Sequence, residues 1–172
     1  MARNLLFALV TVLLATPAAA STMPKADFGG SPVLGLGLGY GVGVSIDAPV
    51  APQLSLGVAA HFAYFNTVHG DVRLLYKLLH GGGGLTLDLL GGVGYGGLLS
   101  GGGYNPSPFV GVALAYPFTH QLTGRLNVGI NPLSPAGTTA SGIELGYKFS
   151  NTLEGTIGAN GLGDVLGLKL YI

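Results

Sequence analysis

Apolar and small or polar positions alternate along most of this chain, most cleanly from Leu34 to Ile46. Leu34, Leu36, Leu38, Tyr40, Val42, Val44 and Ile46 fall on one phase; Gly35, Gly37, Gly39, Gly41 and Gly43 fall on the other. A period of two places successive side chains on opposite faces of a strand. The segment therefore predicts a single strand with one apolar face and one face bare of side chains. A helix fits worse, because each interior glycine costs about 1 kcal/mol relative to alanine and a 3.6-residue period would scatter the glycines.

The pattern continues downstream. Asp47 to Pro52 carries two prolines and predicts a loop. Leu54, Leu56, Val58, Ala60, Phe62 and Tyr64 form the next stripe, backed by Ser55, Gly57, Ala59, His61 and Ala63. Val68, Val72, Leu74, Tyr76 and Leu78 face away from His69, Asp71, Arg73 and Lys77. Leu85, Leu87, Leu89, Val93 and Tyr95 follow, then a Gly/Pro-rich connection from Ser100 to Pro108. Further stripes begin at Val110, Leu122 and Ile143, and the last two runs, from Leu153 and from Leu166, flank the hairpin signal Asn160-Gly161. Ser21 to Ser31 has no periodicity and reads as a short tail. About nine strands result, arranged as an antiparallel meander.

Composition decides what solvent the stripes meet. Charged residues are 8 % of the chain and mean hydropathy is +0.57, against roughly 25 % charged in ordinary soluble domains. The N-terminus carries Arg3, an apolar run from Leu5 to Ala15 and small residues at Ala18 and Ala20, the three parts of a secretory signal peptide. Residues 1–20 are expected to be removed, with Ser21 the mature start. No later stretch reaches the ~20 apolar residues of a membrane helix. An exported, apolar chain without such helices predicts a closed barrel, since only helices and closed barrels satisfy their backbone in lipid. The expected organisation is a signal peptide (1–20), a short N-terminal periplasmic segment (21–32) and an outer-membrane barrel (33–172).

The placement of charge agrees. Asp71, Arg73, Lys77, Asp88, Arg125, Glu144, Lys148, Glu154 and Lys169 all sit opposite the aliphatic stripes. With His61 they form the expected polar network of a narrow lumen, where buried charge is tolerable only when partnered. A three-residue loop at Ser150-Asn151-Thr152 would set Lys148 against Glu154; one at Phe65-Asn66-Thr67 would set His61 against Asp71. The glycine-lined walls would leave room for side chains from facing strands. Tyr40, Tyr64, Tyr76, Tyr95, Tyr116, Phe118, Tyr147 and Phe149 lie on the apolar phase, several near strand ends, as interfacial aromatic girdles do.

These features resemble the small outer-membrane β-barrel proteins of Gram-negative-type bacteria. The likeness runs from Val33 to Ile172 and includes a C-terminal strand with alternating hydrophobic residues after a glycine. In that family this strand carries the assembly signal, which maps here onto Gly167, Leu168, Leu170, Tyr171 and Ile172; Ile172 replaces the usual terminal phenylalanine. The resemblance implies an all-β, up-and-down transmembrane barrel of 8–10 strands, embedded in outer-membrane lipid and delivered by periplasmic chaperones and a barrel-assembly machinery. Even strand numbers are the rule. A tenth strand between Leu85 and Pro108, or eight strands with the last two runs merged, would both restore one.

Candidate chemistry is sparse. Without cysteine, disulfides and thiolate chemistry are excluded, and a net charge of zero gives no footprint for nucleic acid. Ser55 and His61 share a face, but six strand residues separate them by about 20 Å, too far for a nucleophile and its base. His61 and His69 alone make a poor metal site, and no glycine run carries the Lys-Ser/Thr ending of a phosphate loop. The expected function is a non-catalytic barrel without cofactor or metal, having a small, largely filled lumen and a structural or surface-interaction role. The alternatives are a narrow porin-like channel for small solutes and a barrel enzyme acting on membrane lipid. Oligomeric state is not legible.

Overall fold

The computed structural model describes residues 22–63, 66–80, 84–98, 105–133, 141–161 and 164–172. Ten strands, joined in sequence order, close into one antiparallel barrel. They are β1 (Val33–Gly39), β2 (Gly41–Ala51), β3 (Leu54–Ala63), β4 (Thr67–His80), β5 (Thr86–Leu98), β6 (Asn105–Pro117), β7 (Leu122–Ile130), β8 (Gly142–Lys148), β9 (Leu153–Asn160) and β10 (Asp164–Tyr171). Val33 pairs with Tyr171, so both ends of the barrel chain lie at one end, here the terminal end; the other is the distal end.

The extra strand is not between Leu85 and Pro108, where β5 and β6 account for the described residues. It lies in the opening stretch, which folds back on itself around Tyr40 and pairs Leu34 with Ile46, Leu36 with Val44 and Leu38 with Val42. Partners in this hairpin share parity. The apolar phase therefore stays outside on both arms, and the fold-back leaves no break in the alternation.

Two expected loops are partly strand. β2 runs on through Ala48, Pro49 and Ala51, and β6 begins at Asn105 and includes Pro106 and Pro108. In both places one edge is free. β1 pairs with β2 only as far as Asp47, and β7 pairs with β6 only from Val110. A proline there removes no ladder hydrogen bond on that edge.

Outside, the stripes form a continuous apolar surface: Leu36, Val44, Val58, Leu74, Leu89, Val128, Leu145 and Leu168 are each at least 40 % exposed. Nine strand residues at about 3.3 Å each, tilted by ~40°, span roughly 23 Å, close to the apolar band of a membrane barrel. Aromatics flank the band, with Tyr40 at the distal hairpin and Tyr116, Phe118, Tyr147 and Phe149 near the terminal end. Tyr64 falls outside the described residues.

The last four of these aromatics belong to a repeat within the chain. Tyr116-Pro-Phe-Thr-His-Gln-Leu-Thr-Gly124 and Tyr147-Lys-Phe-Ser-Asn-Thr-Leu-Glu-Gly155 build the same hairpin turn. In each, the Thr119 or Ser150 hydroxyl oxygen accepts the two amides closing the turn. The tyrosine and phenylalanine rings stand edge to face at 5.3 Å. Phe118 covers Gly124 and Phe149 covers Gly155, so each ring seals a strand position that has no side chain.

Candidate functional site: the filled lumen

The interior is occupied by the chain's own N-terminal segment. Thr22, Met23, Lys25, Ala26 and Phe28 are at most 3 % exposed. The segment that reads as a tail instead runs inside the barrel, then emerges at Gly29, Gly30 and Ser31 to enter β1. Its physical reason is polar. Two lumen arginines seize it at two points.

Arg125, on β7, uses all five of its N–H donors. Nε and one terminal nitrogen hold Asp27 at 2.7 and 3.0 Å. The remaining donors reach Glu144 at 2.7 Å and Glu154 at 2.5 and 3.1 Å. Lys169 donates to Glu144, and the Lys25 ammonium lies 3.3 Å from Asp27. Three cations (Arg125, Lys169, Lys25) thus face three carboxylates (Asp27, Glu144, Glu154), a balance that makes such deep burial tenable.

Arg73, on β4, holds Asp47 through a bidentate pair at 3.0 and 2.8 Å, Asp71 at 3.2 Å and the carbonyl of Thr22 at 2.7 Å. Asn127 donates to the carbonyl of Pro24 and Asn160 to the Thr22 hydroxyl, at 2.8 and 3.0 Å. The Thr22 hydroxyl donates to Asp164. Between the arginine clusters the plug buries Phe28 against Leu75, Leu90, Phe109, Ala113 and Ala115, an apolar patch on the inner face of β4 to β6.

The bare walls serve this packing. A Cβ at Gly37 or Gly43 would strike the Asp164 carboxylate; at Gly57 it would strike Asp47 and Arg73, and at Gly146 Glu154 and Arg125. The glycines of the opening stretch thus make room chiefly for Asp164 and Thr22.

Of the ten expected lumen residues, His61, Asp71, Arg73, Asp88, Arg125, Glu144, Glu154 and Lys169 are at most 2 % exposed. Lys77 and Lys148 are half-buried, with Lys77 over the Phe28 ring at 4.2 Å and Lys148 5.6 Å from the Tyr171 ring. Lys148 does oppose Glu154 in the ladder. The pairing of His61 with Asp71 is corrected: His61 opposes His69, and Asp71 opposes Ala59. That shift of two residues keeps every side chain on its face, so alternation could not detect it. His61 lies instead 3.1 Å from Asp164. Tyr171, assigned to the assembly signal, also faces inward and donates to Glu154, whereas Leu168, Leu170 and Ile172 face outward.

Sequence reasoning missed Asp47, Asp164 and the plug residues. Asp47 hid in an expected loop. Asp164 lies on the outward phase of β10, but the ladder shifts register between Leu38 and Gly39, opposite this strand's start, and turns it inward. Apart from the neighbouring Lys25–Asp27 pair, Thr22 and Asp27 meet partners 51 to 142 positions away, beyond any local pattern.

At the terminal end a cavity of about 610 Å³ is lined by Asp27, Thr119, His120, Thr123 and Lys148. Among the described residues no group of three His, Asp or Glu side chains could hold a metal ion. No protein-family model matches the chain, and no curated protein matches it. Among solved structures it is similar to a KdgM porin in complex with disordered oligogalacturonate, at 12 % identity and a TM-score of 0.43, over 83 % of this chain and 99 % of that one.

Proposed function

We propose that this protein is an integral outer-membrane barrel whose lumen is closed by its own N-terminal segment, acting without catalysis. The observation that carries the closed state is Arg125: its five donors are consumed by one plug carboxylate and two wall carboxylates. A mobile plug would leave a desolvated guanidinium with unmet donors, which is strongly unfavourable. The lipid reading rests on the uninterrupted apolar exterior, since exposed apolar patches beyond a few hundred Å² are rare on soluble monomers. In this reading residues 1–20 direct export and are removed, and periplasmic chaperones and the assembly machinery deliver the barrel through its C-terminal strand.

The test is electrophoresis of membrane fractions with and without boiling, followed by planar-bilayer recording. A mobility shift on heating and a silent bilayer are the expected results. Recovery in a soluble fraction with no shift overturns the membrane reading, and steady single-channel steps overturn the closed one. The second reading, a narrow channel, draws on the same plug: the apolar and polar contacts that hold it are non-covalent, and its displacement would open a charged passage.

A further inference from the structure

The plug grips the barrel through two adjacent residues of opposite character, Asp27 and Phe28, and each meets its own partner on the wall. Arg125 presents Nε and a terminal nitrogen to the Asp27 carboxylate at 2.7 and 3.0 Å, the planar two-point fit that a guanidinium offers any carboxylate. Beside it the Phe28 ring lies in the apolar patch of Leu75, Leu90, Phe109, Ala113 and Ala115, with the Lys77 ammonium 4.2 Å from the ring centroid. A guanidinium fork next to an apolar pocket capped by an ammonium suits an aromatic ring joined to a carboxylate. Every group that forms this site belongs to the barrel wall; only its occupant belongs to the plug.

The charge of the wall agrees. Around Arg125 the strands themselves supply three cations, Arg125, Lys148 and Lys169, and two carboxylates, Glu144 and Glu154. Lys148 opposes Glu154 in the ladder and forms no ion pair among the described residues. It lies 5.6 Å from the Tyr171 ring, which Lys25 of the plug approaches to 4.7 Å. When the plug leaves, Lys25 departs with Asp27, and Lys148 remains beside that ring. The wall then needs one carboxylate to balance its charge and to fill the two Arg125 donors that Asp27 gave up, which are costly if left unmet.

Solvent reaches this place from the terminal end. Asp27 is 20 % exposed and, with Lys148, lines the cavity of about 610 Å³ there, a volume in the range of small-molecule sites.

We propose that the lumen wall around Arg125 and Phe109 is a binding site for a small aromatic carboxylate, which enters at the terminal end, replaces Asp27 and Phe28 and releases the plug. The inference rests on the plugged-barrel reading above. The solute's carboxylate takes the two Arg125 donors, and its ring takes the pocket under Lys77. An aliphatic acid fills only the first half of the site, and a neutral aromatic amide only the second. Because plug and solute compete, the apparent affinity is the intrinsic one reduced by the fraction of molecules whose plug is out. A change that weakens the plug and spares the wall therefore tightens binding.

The experiment uses the whole barrel purified from membranes, with phenylbutyrate as the probe and its neutral amide and butyrate as controls. Titration calorimetry reads binding, and trypsin cleavage after Lys25, which is 2 % exposed in the plug, reads release. Phenylbutyrate should bind saturably, at least about tenfold more tightly to Asp27→Asn than to the wild type. Phe28→Ala, which empties the ring pocket and leaves Arg125 untouched, should also bind it more tightly than the wild type. In the wild type, cleavage after Lys25 should quicken at least about fivefold at the highest soluble probe concentration, because cleavage follows the population of the open form. Neither control should match it at equal concentration. Absence of saturable binding to both variants overturns the proposal, as do equal affinities for the wild type and both variants, an equal effect of the amide, or binding that leaves Lys25 as protected as before. Should neither variant fold, the wild-type cleavage decides by itself. A heat-modifiable barrel that binds no probe sinks the site alone, whereas a chain with no mobility shift sinks the barrel reading with it.

Discussion

Asp27→Asn separates plug retention from barrel stability. Asp27 fills two of the five donors of Arg125, and the substitution keeps its shape while removing its charge. Three cations (Arg125, Lys169, Lys25) would then face only Glu144 and Glu154. Breaking a buried ion pair costs about 3–5 kcal/mol. Asp27 is 20 % exposed and the asparagine oxygen still accepts one bond, so about 2–3 kcal/mol is expected. The loss falls on the plugged state, because no ladder pair in the barrel includes residue 27. At 1.4 kcal/mol per factor of ten, the plug equilibrium shifts by about 30- to 150-fold toward release. In planar bilayers the wild type should be silent and the variant should open intermittently, with the heat-dependent mobility shift retained. A variant as silent as the wild type, with its N-terminal segment equally resistant to protease, would refute a plug held by Arg125.

Other expectations follow from the same packing. Gly57→Ala drives a Cβ into Asp47 and Arg73 and should destabilise by about 1–3 kcal/mol, whereas Val58→Leu on the apolar exterior should change stability by less than about 0.5 kcal/mol; the temperature of the mobility shift measures both. Phe28→Ala removes the plug's apolar anchor and should raise both bilayer openings and protease access to the N-terminal segment. It also frees Lys77, which now sits over the Phe28 ring, to reach its cross-strand partner Asp88, whose carboxylate is buried without a hydrogen bond. Tyr171→Phe removes a hydrogen bond to the buried Glu154 and should cost about 1.5–3 kcal/mol without altering the outward residues of the C-terminal strand. If assembly yield falls while the stability of assembled barrels is unchanged, Tyr171 acts in delivery and not in the lumen.

Alternation by itself determined which face of each strand meets the exterior. It placed eight of the ten expected lumen residues in full burial and the other two at half-burial. The assignment of faces has a local cause: a period of two is a property of the backbone, independent of which strand pairs with which. For the same reason alternation could not see the hairpin at Tyr40 or the two-residue shift that separates His61 from Asp71, since both preserve parity. A register shift re-aimed Asp164, and free strand edges admitted Pro49 and Pro106 into the ladder. Both depend on neighbouring strands. The plug lay furthest from the sequence's reach, because Thr22 and Asp27 have no periodicity and find their partners only once ten strands close around them. The strand faces are local chemistry; the contents of the lumen are decided by closure, which gathers nearly every charge of the chain into one desolvated space where each must find a partner.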